Sequence, residues 1–330
     1  MALSKAAGFA LSLILICIVN PASAQKRHAL IIGGLGGSPE QTSRIALHLE
    51  GAYNALTGPL GFPREYVAVL AEQSLSANDY VLGESTAENI RAQFSDFRDR
   101  LAQGDELYIL LFGHGSYDGK ESALNIPRRD LTGSDYAALS DELIIGRTIW
   151  ICTMSSSGPF IQTLRDPDRI VITATRTGTQ RNQTVFPEYL IESLIEPAAD
   201  LDRDGSLSVL EVFQYTAGQT SRHYEREGRL TTEHSLLDDN GDGVGTLANA
   251  LDESGDGFIA GNTWLRRSQA LLGNSTFANE RSVLERQIAT LEARKSELDT
   301  DIYYAELEML FVALARLNER IESELESDDY

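Results

Sequence analysis

Cysteine is almost absent: the chain has 330 residues and two cysteines. Cys17 lies in an N-terminal apolar run, so its removal would leave Cys152 alone and exclude an internal disulfide framework. Basic charge is scarce too, with 28 Lys and Arg against 49 Asp and Glu, a formal net charge of -21. Binding a polyphosphate requires a basic face, so nucleic acid is not expected as a partner. Long apolar stretches are missing: beyond the leader, no run approaches the ~18 residues that a membrane-spanning helix needs. Finally, Glu280 to Tyr330 contains neither Gly nor Pro, which leaves nothing to punctuate a helix there.

The leader itself is informative. Met1 to Ala24 carries one cation, Lys5, an apolar run from Phe9 to Val19, and the small-x-small tripeptide Ala22-Ser23-Ala24. This pattern predicts a signal peptide over residues 1–24 and a secreted or periplasmic mature chain from Gln25, with a retained N-terminal anchor as the other reading. No transmembrane helix is expected after cleavage. The mature chain would have 306 residues and a net charge of -22.

That charge divides the chain. Residues 25–195 carry a net -6, residues 196–262 a net -10 in Asp- and Gly-rich loops, and residues 280–330 a net -8. The first region alternates apolar runs with amphipathic stretches, which predicts an α/β domain built on a mostly parallel sheet. Strands are expected at His28 to Ile32, Tyr66 to Leu70, Glu106 to Phe112, Thr148 to Thr153 and Arg169 to Ala174. Helices are expected at Ser43 to Leu56 and Ala87 to Ala102. The domains expected are 25–195 for the core, 196–265 for the acidic loops and 276–326 for a helical tail.

In such sheets, functional residues gather at the carboxyl ends of strands. One expected strand ends in Gly113-His114-Gly115-Ser116, another in Met154-Ser155-Ser156-Ser157-Gly158. A histidine and a hydroxyl on two strand ends can act as general base and nucleophile, because a hydroxyl is a weak nucleophile until a neighbour takes its proton. Serine runs also fill ordinary turns.

Leu107 to Ser116 and Ile149 to Phe160, with the opening strand His28 to Gly34, resemble the legumain-type cysteine peptidases of the caspase-like fold. The resemblance covers about Lys26 to Leu194 and implies a caspase/legumain-like α/β/α sandwich. Aligning Ser157-Gly158 with the family's Ser-Gly places Ser155 where the nucleophilic cysteine belongs, and His114 at the catalytic histidine. Cys152 falls three positions earlier, inside a strand, and reads as a buried structural thiol. The resemblance places Arg44 at a basic residue of the substrate pocket; a surface helix charge is the alternative. Thr153 stands where the family carries an acidic residue, so the family's substrate preference does not transfer.

Replacing Cys by Ser weakens a site built around a thiolate. Two readings follow: a catalytically silent relative that binds a protein or peptide ligand, or a serine-type peptidase or esterase. In the second, Ser155 attacks, His114 is the base, and backbone amides near Gly115 and Ser155 hold the oxyanion. A calcium-stabilised structural protein of the envelope is a third.

Asp200 to Glu211 fits the EF-hand loop at every diagnostic position. Calcium takes six to eight oxygens. Asp200, Asp202 and Asp204 alternate towards the ion, Gly205 allows the turn, Ser206 offers its carbonyl, Ser208 acts through water and Glu211 closes the site with two oxygens. Two shorter copies follow. Asp238, Asn240 and Asp242 begin one; Asp252, Ser254 and Asp256 begin the other. Their twelfth positions are Asn249 and Thr263, so each needs a ligand from elsewhere or binds weakly. Asp-Gly turns are their bland reading. His234 is a poor ligand for calcium, which prefers oxygen.

In the tail, Leu284, Ile288, Leu291, Leu298 and Ile302 follow three and four spacing, and Leu307, Leu310, Leu314, Leu317 and Ile321 resume it out of register. The shift predicts a break near Leu298 to Tyr304, with a helical hairpin accounting for it, in place of one continuous coiled coil. Self-association and packing on the core are both open.

Overall fold

The computed structural model describes residues 25–75, 78–251, 255–268 and 299–328, and positions 277, 280, 284, 287, 288 and 291 between them. Residues 1–24, where a signal peptide is expected, and Asp252, Ser254 and Leu298 lie outside the described residues.

The fold is an α/β sandwich around a seven-stranded, largely parallel sheet. Its strands run in the order β11-β9-β8-β4-β1-β2-β3. They are β1 (Arg27–Gly33), β2 (Val67–Ala71), β3 (Gly83–Glu84), β4 (Glu106–Phe112), β8 (Arg147–Cys152), β9 (Arg169–Thr173) and β11 (Leu236–Asp238). All pairs are parallel except β11 with β9. The five strands read from apolar runs all form, because central parallel strands are covered on both faces and must be apolar throughout.

Alternation sorts their side chains between two cores. Ala29, Ile31, Tyr108, Leu110, Phe112, Ile149 and Ile151 pack on α1 (Pro39–Thr57), α5 (Phe186–Ile195) and α6 (Val209–Arg226). Leu30, Ile32, Leu107, Ile109, Leu111, Trp150 and Cys152 pack on α2 (Ala87–Arg100), α3 (Gly133–Asp141) and α4 (Phe160–Leu164). The helix expected from Ser43 starts at Pro39, where Ser38 caps by accepting the Gln41 amide and proline occupies the first turn.

Two features exceed the sequence expectations. A three-stranded antiparallel sheet, β5 (Gly115–Tyr117), β6 (Ser122–Leu124) and β7 (Leu131–Thr132), follows His114 directly. The acidic segment is also built into the sandwich: β11 is an edge strand of the main sheet, and α6 packs along α5. Farther on, β10 (Leu207–Ser208) pairs antiparallel with β12 (Trp264–Arg266), and α7 (Phe258–Gly261) precedes β12. The module docks on the amino end of the sheet, where Tyr108 Oη lies 3.4 Å from the Trp264 carbonyl and Arg27 donates to the Leu265 carbonyl.

Helix α8 (Thr300–Asp328) forms as the tail spacing predicts. Phe277 and Leu317 are buried together with Leu284 beside them, and Arg320 pairs with Glu280 at 2.9 Å. No helix among the described residues is long and apolar enough to cross a membrane.

Candidate functional site

The order of strands reverses between β1 and β4, and a cleft at the carboxyl ends is expected at such a switch point. His114 follows β4 there, half-buried, and Ser155 follows β8, 3 % exposed. The two strand ends touch through backbone. A Cβ at position 115 would lie 2.0 Å from the Ser155 carbonyl oxygen, so only glycine permits this approach. The Ser155 hydroxyl donates to the Gly115 carbonyl and accepts the Gly115 amide, both at 3.3 Å. Both hydrogen bonds therefore end on the Gly115 backbone and neither engages the His114 ring. The Gly115 amide, one of the expected oxyanion donors, is itself turned to the serine.

The turn behind Ser155 is tightly held. Ser156 has φ 56°, left-handed for a non-glycine residue, a conformation that persists where its surroundings over-determine it. Its amide donates to the Gln180 carbonyl at 2.8 Å, and its carbonyl accepts the Ser122 hydroxyl at 2.6 Å. Thr175 secures the next residues: its hydroxyl lies 3.1 Å from Ser157 Oγ and accepts the Gly158 amide at 3.1 Å.

The other residues brought in by resemblance sit apart from that contact. Thr153 is buried, and its hydroxyl donates to the Leu111 carbonyl at 2.7 Å, which directs it into the sheet. Arg44, on α1, pairs with Glu188 at the start of α5. Behind it, His48 stacks on Phe112 with ring centroids 5.9 Å apart. Burial, and then the Arg44 charge, push the His48 imidazole down to about 4. Cys152 is fully buried in β8, and burial pushes its thiol well above the ordinary range, as an inert structural thiol requires.

The acidic loops form a second centre. One oxygen from each of Asp200, Asp202 and Asp204 lies within 4.8 Å of the others, an arrangement able to hold a divalent cation. The loop is wrapped by its own amides: Gly205 donates to Asp200 Oδ2 at 3.0 Å, Asp204 to Asp202 Oδ1 at 3.0 Å, and Ser206 to Asp204 Oδ1 at 2.7 Å. Asp200 Oδ1 is buried with no hydrogen-bond partner among the described residues, a carboxylate oxygen that a cation fits. Glu211 lies across the loop; Oε1 accepts the Leu201 amide at 2.9 Å, and Oε2 accepts the Ser208 amide and hydroxyl, each at 2.8 Å. Ser208 thereby caps α6, and Ser206 is buried, accepting the Ser268 amide at 3.1 Å.

The second loop repeats these contacts in order. Gly243 donates to Asp238 Oδ2 at 2.9 Å, Asp242 to Asn240 Oδ1 at 2.9 Å, and Val244 to Asp242 Oδ1 at 2.7 Å. Gly205 and Gly243 have matching φ of 80° and 77°. Asp256, expected at the fifth position of the third loop, reaches into this one: Oδ1 accepts the Asp239 amide at 3.3 Å and Oδ2 the Thr246 hydroxyl at 2.6 Å. Asp239 and Thr246 are the second and ninth loop positions, those that Leu201 and Ser208 occupy around Glu211. Burial raises the Asp256 carboxyl to about 6. This closure was invisible in the sequence because it joins two motifs through folding. Asp238 is 1 % and Asp256 6 % exposed.

Compared with known proteins, the chain matches no family model and no curated protein. Among solved structures, protein GSU0716 from Geobacter sulfurreducens aligns with a TM-score of 0.42 at 11% identity, over 64% of this chain and 92% of that one.

Proposed function

We propose that this is an exported calcium-binding protein whose legumain/caspase-like sandwich binds a protein or peptide ligand at the Ser155 and His114 mouth without hydrolysing it. The observation that carries the silent reading is the Ser155 hydroxyl, whose two hydrogen bonds both go to the Gly115 backbone. A serine nucleophile needs a base within reach of its proton, and this proton is directed at a carbonyl. The mouth then offers backbone groups and an imidazole for recognition.

The metal reading rests on the oxygen-only donor set. Asp200, Asp202 and Asp204 would hold the first calcium, with Glu211 turning from the loop amides to close it; Asp238, Asn240 and Asp242 would hold a second, with Asp256 in the part of Glu211. A bound calcium supplies two positive charges to loops that concentrate carboxylates. It would stabilise the folded chain by an amount that grows with the logarithm of free calcium above the dissociation constant.

An active Ser155-His114 pair is the second reading. It draws support from the left-handed Ser156, since backbone strain gathers at sites of chemistry. A library of peptides and esters separates the two readings when tested on wild type and Ser155→Ala. Ligand binding by both proteins without turnover is the expected result; turnover lost in Ser155→Ala would establish the hydrolase. For the metal, calorimetry should show weaker calcium binding by Glu211→Gln than by wild type, and equal affinity would sink the EF-hand assignment.

A further inference from the structure

His234 takes no part in the aspartate loops, yet its ring meets the segment that backs the serine turn. Its Nδ1 lies 2.7 Å from Gln180 Nε2. The orientation of that amide follows from its other end, where Gln180 Oε1 accepts the backbone amides of Arg176 at 2.6 Å and Thr177 at 3.3 Å. An NH2 group cannot accept those amides, so it must be the end that faces His234. The NH2 then donates to Nδ1, which requires the ring proton to sit on Nε2.

The same residue reaches the turn through its main chain. The Gln180 carbonyl accepts the Ser156 amide at 2.8 Å, while Ser122 holds the Ser156 carbonyl from the opposite side. These two contacts fix the left-handed peptide that orients Ser155. His234, although exposed, is presented from a rigid base. The preceding Glu233 is buried and accepts the Val185 and Phe186 amides at 2.8 and 3.0 Å and the Tyr224 hydroxyl at 2.6 Å.

We propose that Gln180, oriented by the Nδ1 acceptor of His234, is the positioning residue of the Ser155-Ser156 turn. The inference rests on reading this turn as the ligand site, but what the pair fixes is a geometry measurable without ligand. It joins the start of β11 to the serine turn, so any ligand seated at Ser155 meets a turn already set.

Nitrogen-15 NMR of the full chain tests the tautomer, with His234 identified among five histidines by loss of its signals in His234→Ala. Wild type should show Nδ1 unprotonated and Nε2 protonated at pH 8. Gln180→Glu keeps one oxygen for the Arg176 and Thr177 amides and presents another to the ring, so it should move the proton onto Nδ1. Hydrogen exchange of the Ser156 amide should accelerate at least tenfold in Gln180→Ala and His234→Ala, and stay near wild type in Gln180→Glu and His234→Gln. Unchanged exchange of the Trp150 amide in β8 shows that each variant is folded. Protonated Nδ1 in wild type, or Ser156 exchange within twofold of wild type in folded Gln180→Ala, overturns the proposal. If tautomer and exchange behave as expected while no peptide binds, the function assigned to the mouth fails and the positioning role stands.

Discussion

Asp256 stands to Thr246 as Glu211 stands to Ser208: each carboxylate accepts the hydroxyl at the ninth position of an aspartate loop, at 2.6 and 2.8 Å. The two pairs differ in how the carboxylate arrives. Glu211 comes from the first turn of α6, three residues after its serine, whereas Asp256 comes from a separate Asp-Gly motif ten residues after its threonine.

This relationship sets the expected stoichiometry. Wild type should bind two calcium ions, and Asp256→Asn should lose the weaker one while leaving the first site's affinity within about twofold. Glu211→Gln should do the reverse. Calorimetry on both variants checks it; two unchanged sites in Asp256→Asn would remove Asp256 from the second loop. Asparagine can keep its oxygen on the Asp239 amide and donate its NH2 to the Thr246 hydroxyl, so both contacts persist and the loss reports charge.

The contrast between the two loops also explains how far the sequence could be read. Asp200 to Glu211 was legible because the whole pattern lies in twelve consecutive residues, as were β1, β4 and β8, whose apolar runs are the mark of doubly covered strands. Strand β11 was not, since Leu236-Leu237 is too short an apolar run to stand out beside aspartates. The contact of Gly115 with Ser155 joins residues 40 apart. His114 and Ser155 were both marked by strand ends, but where the serine proton points depends on the angle at which those ends meet. Gln180 carried no signal: its contacts, a main-chain carbonyl to Ser156 and a side-chain amide to His234, arise only on folding.

Gly115 provides a direct test of that meeting. Any Cβ there would collide with the Ser155 carbonyl at 2.0 Å, and the collision is with backbone, which cannot swing aside. Gly115→Ala should destabilise the fold by about 1–3 kcal/mol, the usual range for overpacking. It should also separate β4 from the serine turn. Chemical denaturation gives the first effect. Faster exchange of the Ser156 amide gives the second, and a variant as stable as wild type would contradict the close approach.

Cys152 should be chemically silent in the native protein. The thiolate is the reacting form, and burial holds this thiol in its neutral state and away from solvent. Iodoacetamide at pH 8 should leave Cys152 unmodified by mass spectrometry for hours and label it in strong urea. Labelling of the folded protein at the rate of a free thiol would require β8 to open, and would make Cys152 a candidate nucleophile.

His48 should make the fold sensitive to acid. Its imidazole is held down to about 4 by burial and by Arg44, whereas an unfolded chain titrates near 6.5. Glu188 lies 3.9 Å from Nε2, but it is already engaged with Arg44 and offsets little. Because the folded value is the lower one, the unfolded chain takes up the proton first as pH falls. The stability is complete above about pH 6.5 and is lost progressively towards pH 4, on the order of 3 kcal/mol for this group. His28 acts in the same direction, its value lowered by burial against the opposing charge of Asp105. Urea unfolding at pH 7 and pH 4.5 isolates the His48 share by comparison with His48→Gln, which cannot titrate. The variant should lose less stability on acidification than wild type; equal losses would mean that the ring is protonated in the folded state and that Arg44 and its buried setting do not hold it neutral.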